Sequence, residues 1–513
     1  MSQPPENFAA SIKDFESWPE NLVHQTTCLG VLKAHKTRLD VTEPKLFTQE
    51  AEDINVSFLE LIESGPTFDN LEVSDDEELQ QRLGEASRRG EDPKCRFIFI
   101  GAGSPQAPLK ISRKMLVRVL SYYQVIPGYV DRLLEFDGRG YARKDMYSGF
   151  LSQTLLNHTP TMEVDYLGRS GRQLQLCYNL RSIGRTKRNH LAPCHKQWSF
   201  RHGAFHHQFD ILKGTAVWIT TTADLDLKKR IEKSTGKTGM REDRQFQTPE
   251  QCLKSSLTVH LLLCDWAYEN LRVYFLWLDG TVEDEMYLLV HNRRIHEEYP
   301  QIYSLGDLEA LRNLQEQTKG ALQVLKGNIG VFSGLRDFYH GLGENDGFSL
   351  RDSCIGDISS FTRQIDNIID ETKRYLAQGQ LIAKIIDARE TIIFQHFQSQ
   401  ATEKTEQLTT NMQRHSLTVR IIVFLISIYL PATFASTIFS IDVFKYQDQD
   451  PISTSNASDP IKQLVSIPAI ALDRWLQVTL PMTCLTFAAA GLWLWREDRK
   501  LRREYQTTPI CTN

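Results

Sequence analysis

From Ile421 to Ile441 the chain reads IIVFLISIYLPATFASTIFSI, and from Trp475 to Trp495 it reads WLQVTLPMTCLTFAAAGLWLW. Each run is 21 residues long and carries no charged side chain. At 1.5 Å per residue either one spans roughly 30 Å, the thickness of a bilayer's hydrocarbon core. Charges stand at the edges instead. Arg420 and Asp442 bracket the first run, and Arg474 and Arg496 bracket the second. Trp475, Trp493 and Trp495 fall at the depth where indole rings favour the membrane interface. Buried helices of a soluble core have no need of such bracketing, so the chain reads as carrying two transmembrane helices, 421–441 and 475–495.

Their orientation follows from basic residues. Arg496, Arg499, Lys500, Arg502 and Arg503 follow the second span, and Arg414 and Arg420 precede the first. The connection from Asp442 to Asp473 holds only Lys445 and Lys462 against five Asp. The positive-inside rule then places both termini in the cytosol and the connection outside. That connection contains Asn456-Ala457-Ser458, a glycosylation acceptor pattern. Its use would imply a plasma membrane or another membrane of the secretory route, not the mitochondrial inner membrane. Asn55-Val56-Ser57 and Asn157-His158-Thr159 fit the same loose pattern.

Working outward, the 513 residues allow several domains. Lys+Arg total 59 and Asp+Glu 64, a balance that argues against a nucleic-acid partner, which calls for a concentrated basic surface. Residues 1–90 hold a local charge of −10 and the remainder +5. The nine cysteines are scattered without a CxxC pair, which indicates neither a disulfide scaffold nor a zinc ribbon and suits a cytosol-facing bulk. The first residues lack the apolar core of a secretory signal and are too acidic for a mitochondrial one.

Upstream of the membrane, residues 1–90 read as an acidic, mostly helical region. CRFIFIG (95–101) is a buried strand pattern, and KISRKMLVRVLSYYQ (110–124) an amphipathic helix with Ser112 as its cap. GAFHHQFDI and TAVWITTT flank Leu212-Lys213-Gly214 as a hairpin. His260, Asp265, Glu269 and Arg272 interrupt the apolar stretch 255–278, which reads as a buried helix and not a third span. Residues 91–300 therefore form an α+β or α/β cytosolic domain. Residues 301–420 follow as a helical region whose later part is a stalk. Stepping by heptads from Ile358 and Phe361, eight of twelve positions are apolar or aromatic, which predicts a helical packing seam of the coiled-coil kind. No proline lies between Pro300 and Pro431, so one helix can run from Ile355 into the membrane, with Gly379 and 398–413 as places where it could bend. The outer loop is then 442–474 and the basic tail 496–513.

This order of elements resembles the CorA family of magnesium channels. Ser416-Leu417-Thr418 leading into Ile428-Tyr429-Leu430-Pro431-Ala432-Thr433-Phe434 is similar to the family's Leu-Pro-containing first span. The segments CRFIFIGAGSPQAPLKISRKML, HKQWSFRHGAFHHQFD and SSLTVHLLLCDWAYENLRVYFLWL resemble the cytosolic domain of fungal CorA-like proteins. The resemblance covers most of residues 95–503. It implies a funnel-like homo-oligomer, a pentamer, embedded in lipid and conducting divalent cations, magnesium first among them. Magnesium would be the transported ion and a possible regulator. The family's Gly-Met-Asn signature at the outer end of the first span is replaced here by Ser440-Ile441-Asp442. By resemblance these three residues stand at the pore mouth, where a ring of Asp442 would bind metal strongly and could also hold it too tightly to pass. The altered signature leaves a second reading open, a non-conducting relative whose cytosolic domain senses or binds a partner.

Chemistry within the first span is limited to hydroxyls. Thr433, Ser436, Thr437 and Ser440 recur at helical spacing on one face, continued inward by Tyr429, Ile426 and Ile422. These residues suit a pore lining that hydrogen-bonds a hydrated ion, although small and hydroxyl residues also serve helix–helix contact. Cys194, His195, His202, His206 and His207 lack metal-ligand spacing, because His206 and His207 point to opposite faces of a strand. Gly101-Ala102-Gly103 lacks the third glycine of a dinucleotide fingerprint, and 233–238 lacks the leading glycine of a phosphate loop. Asp357, Asp366, Asp370, Glu371 and Asp387 along the stalk read as a solvated face. No nucleophile–base pair stands out, and the chain is not read as an enzyme.

Overall fold

The computed structural model describes all residues except 1–5, 25–26, 63–67, 105–106, 137–146, 187–196, 236–244, 296–304, 441–466 and 508–513. The chain divides into two units, Met1–Phe394 and Gln395–Asn513.

In the first unit, helices α1 (Glu6–Lys13) and α2 (Leu29–Leu46) precede strands β1 (Val56–Leu61) and β2 (Asp69–Val73). Next come α3 (Asp76–Arg89), β3 (Cys95–Gly101), α4 (Arg113–Tyr122), α5 (Tyr129–Leu133) and β4 (Phe150–Leu155). The short β5 (Glu163–Val164) and β6 (Arg169–Ser170) pair with each other, ahead of the long β7 (Gln173–Arg185), β8 (Trp198–Asp210) and β9 (Thr215–Thr222). Helices α6 (Leu225–Thr235), α7 (Pro249–Tyr268), α8 (Leu271–Ile295), α9 (Leu305–Glu344) and α10 (Arg351–Ser440) follow, and α11 (Ile467–Thr507) is the last element.

Seven strands form one sheet in the order β2-β1-β3-β9-β8-β7-β4. Only β3 and β9 run parallel, with Phe97 opposite Trp218. Side chains alternate along a strand, so each strand feeds two cores. Phe97 and Phe99 join the core made with α6, α7, α9 and α10. Ile98 and Ile100 join the core made with α1 to α5. A sheet covered on both faces explains why CRFIFIG is buried and apolar apart from Arg96, whose charge is met by Glu60. The fold is thus a mixed α/β domain with a long helix at its end, as the sequence pattern predicts.

Several local expectations are met through identifiable contacts. Ser112 Oγ accepts from the Met115 amide at 3.2 Å and caps α4. β8 and β9 pair as the hairpin, and Gly214 supplies the left-handed turn (φ 63°). The stretch 255–278 differs from the expected single helix, since α7 stops at Tyr268 and α8 restarts at Leu271. Asn270, a poor helix former, sits at the break, where its carbonyl accepts the Tyr274 amide at 2.9 Å. Residues 1–90 are not only helical: β1 and β2 pair with each other, and β1 pairs with β3, so the sheet extends across position 90.

Helix α10 runs unbroken past Gly379 and 398–413. Its heptad seam is buried at Ile358, Phe361, Ile365, Ile368, Thr372, Ile382, Ile386 and Ile393. Much of this seam belongs to the core shared with α7 and α9 of the same chain. Gly379 permits close approach there, because a Cβ at that position would lie 2.8 Å from Phe275 and 2.9 Å from Leu322. Tyr375 stacks on Phe275 with ring centroids 5.9 Å apart. The stalk carboxylates are largely paired: Asp366 with Arg336 at 3.0 Å, Asp357 with Lys254 at 3.7 Å and Asp370 with Lys373 at 3.6 Å. Asp387 accepts from Gln315 at 2.6 Å.

Candidate functional site

In the second unit, the uncharged part of α10 from Ile421 to Ser440 packs against α11. Both helices are long and apolar enough to cross a membrane. Phe424 meets Phe487 with ring centroids 5.4 Å apart. The Thr486 hydroxyl lies 3.5 Å from the Ser427 carbonyl oxygen. Pro431 and Ala435 are buried, the latter 3% exposed. At about 100° per residue, Phe424, Ser427, Pro431 and Ala435 fall within an arc of about 80°. That arc is the face given to α11.

The predicted hydroxyl stripe lies about 180° from it. Tyr429 is 66% exposed, and Thr433, Thr437 and Ser440 are exposed with it. Ile422 and Ile426 continue the same face and are also uncovered. Ser436 sits at the edge of the stripe, where its oxygen accepts from Trp475 Nε1 at 3.1 Å, a link across to α11. Ile441, Asp442 and Asn456 lie outside the described residues.

Two of the stripe's hydroxyl protons are already used. Thr433 Oγ1 donates to the Tyr429 carbonyl at 2.9 Å, and Thr437 Oγ1 donates to the Thr433 carbonyl at 2.6 Å. Such back-bonding satisfies the hydroxyl within its own helix. The oxygen lone pairs remain pointed away from the backbone, so this face can accept hydrogen bonds from the water shell of a cation. It offers no charge, no metal-binding cluster and no nucleophile.

The first unit holds a buried network of polar side chains that is structural. Tyr178 Oη lies 2.7 Å from His260 Nδ1, while His260 Nε2 lies 3.1 Å from His207 Nδ1 and 3.0 Å from Tyr339 Oη. His207 stacks on Trp218 with centroids 4.0 Å apart. All of these side chains are buried. Burial pushes the His260 imidazole down to about 3, and it holds His207 well below the ordinary histidine value. Both rings are neutral, and the network ties α7 and α9 to β7 and β8. His206 faces the opposite core beside Tyr129, as alternation along a strand requires, and burial pushes it down to about 3. His202 packs edge-on to Phe136 with centroids 4.5 Å apart. Cys194 and His195 lie outside the described residues. Among the described residues no group of three or more His, Cys, Asp or Glu side chains is placed to hold a metal.

Sequence spacing identifies the hydroxyls but not the α11 partners. The signal for the partner face is the small-residue set Ser427, Pro431 and Ala435, which lets two helices approach closely in a membrane.

The family model described as CorA-like transporters matches residues 10–289. The match takes in the end of α1, α2, α3 and the first two strands as well as the region beyond residue 90. Among solved structures, the full-length CmaX protein is similar at 12% identity and a TM-score of 0.36, over 87% of this chain and 97% of that one. The ZntB cytoplasmic domain from Vibrio parahaemolyticus is similar at 9% identity and a TM-score of 0.33, over 66% of this chain and 98% of that one. A comparison with curated proteins finds no match. With more than half of its length matched by that family model and two helices fit to cross a membrane, the chain belongs to the CorA-like transporter family.

Proposed function

We propose that this protein conducts divalent cations, magnesium foremost, through an axis lined by the first membrane span of a homopentamer. The observation that carries this reading is the position of the hydroxyl stripe, opposite the face that α11 covers. In a bundle of identical chains that face is available to the axis, where Thr433, Thr437 and Ser440 would solvate the ion's water shell. Tyr429, Ile426 and Ile422 would form an apolar constriction further in. Asp442 stands at the outer mouth, and both termini are cytosolic in a plasma or other secretory-route membrane. A divalent cation drawn inward across 100 mV gains about 4.6 kcal/mol, twice the single-charge value.

Changing Asp442 separates its electrostatics from its chemistry. Asp442→Asn should preserve or raise flux by loosening the mouth, whereas Asp442→Lys should abolish it by repelling cations. Equal flux from wild type and the Lys variant would remove Asp442 from the mechanism. The signature Ser440-Ile441-Asp442 favours a second reading, in which the spans anchor and assemble a cytosolic sensing domain without conducting.

A further inference from the structure

Pro431 lies inside α10 and has no N–H. The carbonyl of Ser427, four residues back, is therefore without its ordinary helical donor. In lipid such a group must find another partner. The Ser427 hydroxyl is not that partner, because it donates to the Val423 carbonyl at 2.8 Å. The side chain that approaches comes from the other helix: Thr486 Oγ1, 3.5 Å from the Ser427 oxygen and 2.9 Å from its own Thr483 carbonyl. A hydroxyl has one proton and turns freely, so these two acceptors compete for it.

We infer that Thr486 is a positioning residue for the first span: its hydroxyl stands in for the N–H that Pro431 lacks and fixes the rotation of that span against α11. The second polar link, Trp475 to Ser436, lies nine residues further along, about 13 Å up the helix. Two links at different heights resist both sliding and rotation. Rotation of this span would turn Thr433 and Thr437 away from the axis. The consequence for transport rests on the proposed pore lining; the consequence for helix packing does not.

The test is a cycle in the full-length protein, with thermal unfolding in nanodiscs and magnesium influx in proteoliposomes both measured. Thr486→Val keeps the shape and removes the hydroxyl, and it should lower the unfolding midpoint by about 1–4 °C and reduce influx. Thr486→Ser should behave as wild type. Pro431→Ala restores the backbone donor, so adding Thr486→Val to it should cost nothing further in either measurement. An equal loss from Thr486→Val in both backgrounds would mean that the residue acts by packing, and no loss in either would mean that it does nothing; each overturns the inference. A midpoint that follows the cycle while no variant, wild type included, passes magnesium would uphold Thr486 and count against the channel reading alone.

Discussion

The hydroxyls of Thr433 and Thr437 donate to carbonyls of their own helix, and this makes their role separable from stability. Thr437→Val removes a lone-pair acceptor while keeping nearly the same shape, and the lost bond is local to one turn. The expected outcome is reduced magnesium influx with an unfolding midpoint close to wild type. A fallen midpoint with unchanged influx would identify the stripe as packing surface. Ser436 should behave differently, because Ser436→Ala removes the acceptor of Trp475 and should also loosen the helix pair, by about 0.6 kcal/mol. At this scale the sequence reveals which residues carry oxygen and that they share a face. Hydropathy cannot tell which face meets α11, because lipid and leucine are equally apolar, and the small residues that mark it also occur along the hydroxyl stripe. The opposed placement of His206 and His207 was legible, since it needs only the two-residue period of a strand.

At the scale of elements, buried histidines pack both faces of the sheet, His207 and His260 toward α7 and α9 and His206 toward Tyr129, and their neutrality makes that packing acid-sensitive. His206 has a folded value of about 3 against about 6.5 when unfolded. Between those two values the unfolded chain binds the extra proton, so stability is intact above pH about 6.5 and falls as pH drops toward about 3. Each such histidine contributes a slope of about 1.4 kcal/mol per pH unit in that window. Unfolding midpoints from pH 7 to 4 should therefore fall less steeply in His206→Gln than in wild type; identical slopes would show that His206 does not titrate on unfolding. Helix α10 gives a second expectation. Gly379→Ala gains about 1 kcal/mol of helix propensity but brings its Cβ against Phe275 and Leu322, so the two effects nearly cancel. Gly379→Leu gains nearly the same propensity but forces a far larger side chain into that contact, and it should lose roughly 1–3 kcal/mol, read as a lower midpoint. The heptad pattern made this helix and its buried seam legible in advance. Strand β1 was hidden by Glu60, which looks like a surface residue but is buried beside Arg96 at 2.7 Å and Arg82 at 2.5 Å. A charge satisfied only by partners distant in sequence cannot be recognised from its own neighbourhood.

For the whole molecule, two uncharged spans with basic flanks mark a membrane protein, and the architecture and the family model agree on a CorA-like transporter. On the proposed reading, transport turns on the hydroxyl face of the first span, opposite the face that α11 covers. The most direct measurement is magnesium influx into proteoliposomes of the purified oligomer, followed with an internal dye at an imposed negative potential. The account predicts saturable, voltage-driven influx that a hexammine cobalt mimic of the hydrated ion blocks. No influx above empty liposomes, from protein shown to be intact and oligomeric, would contradict it.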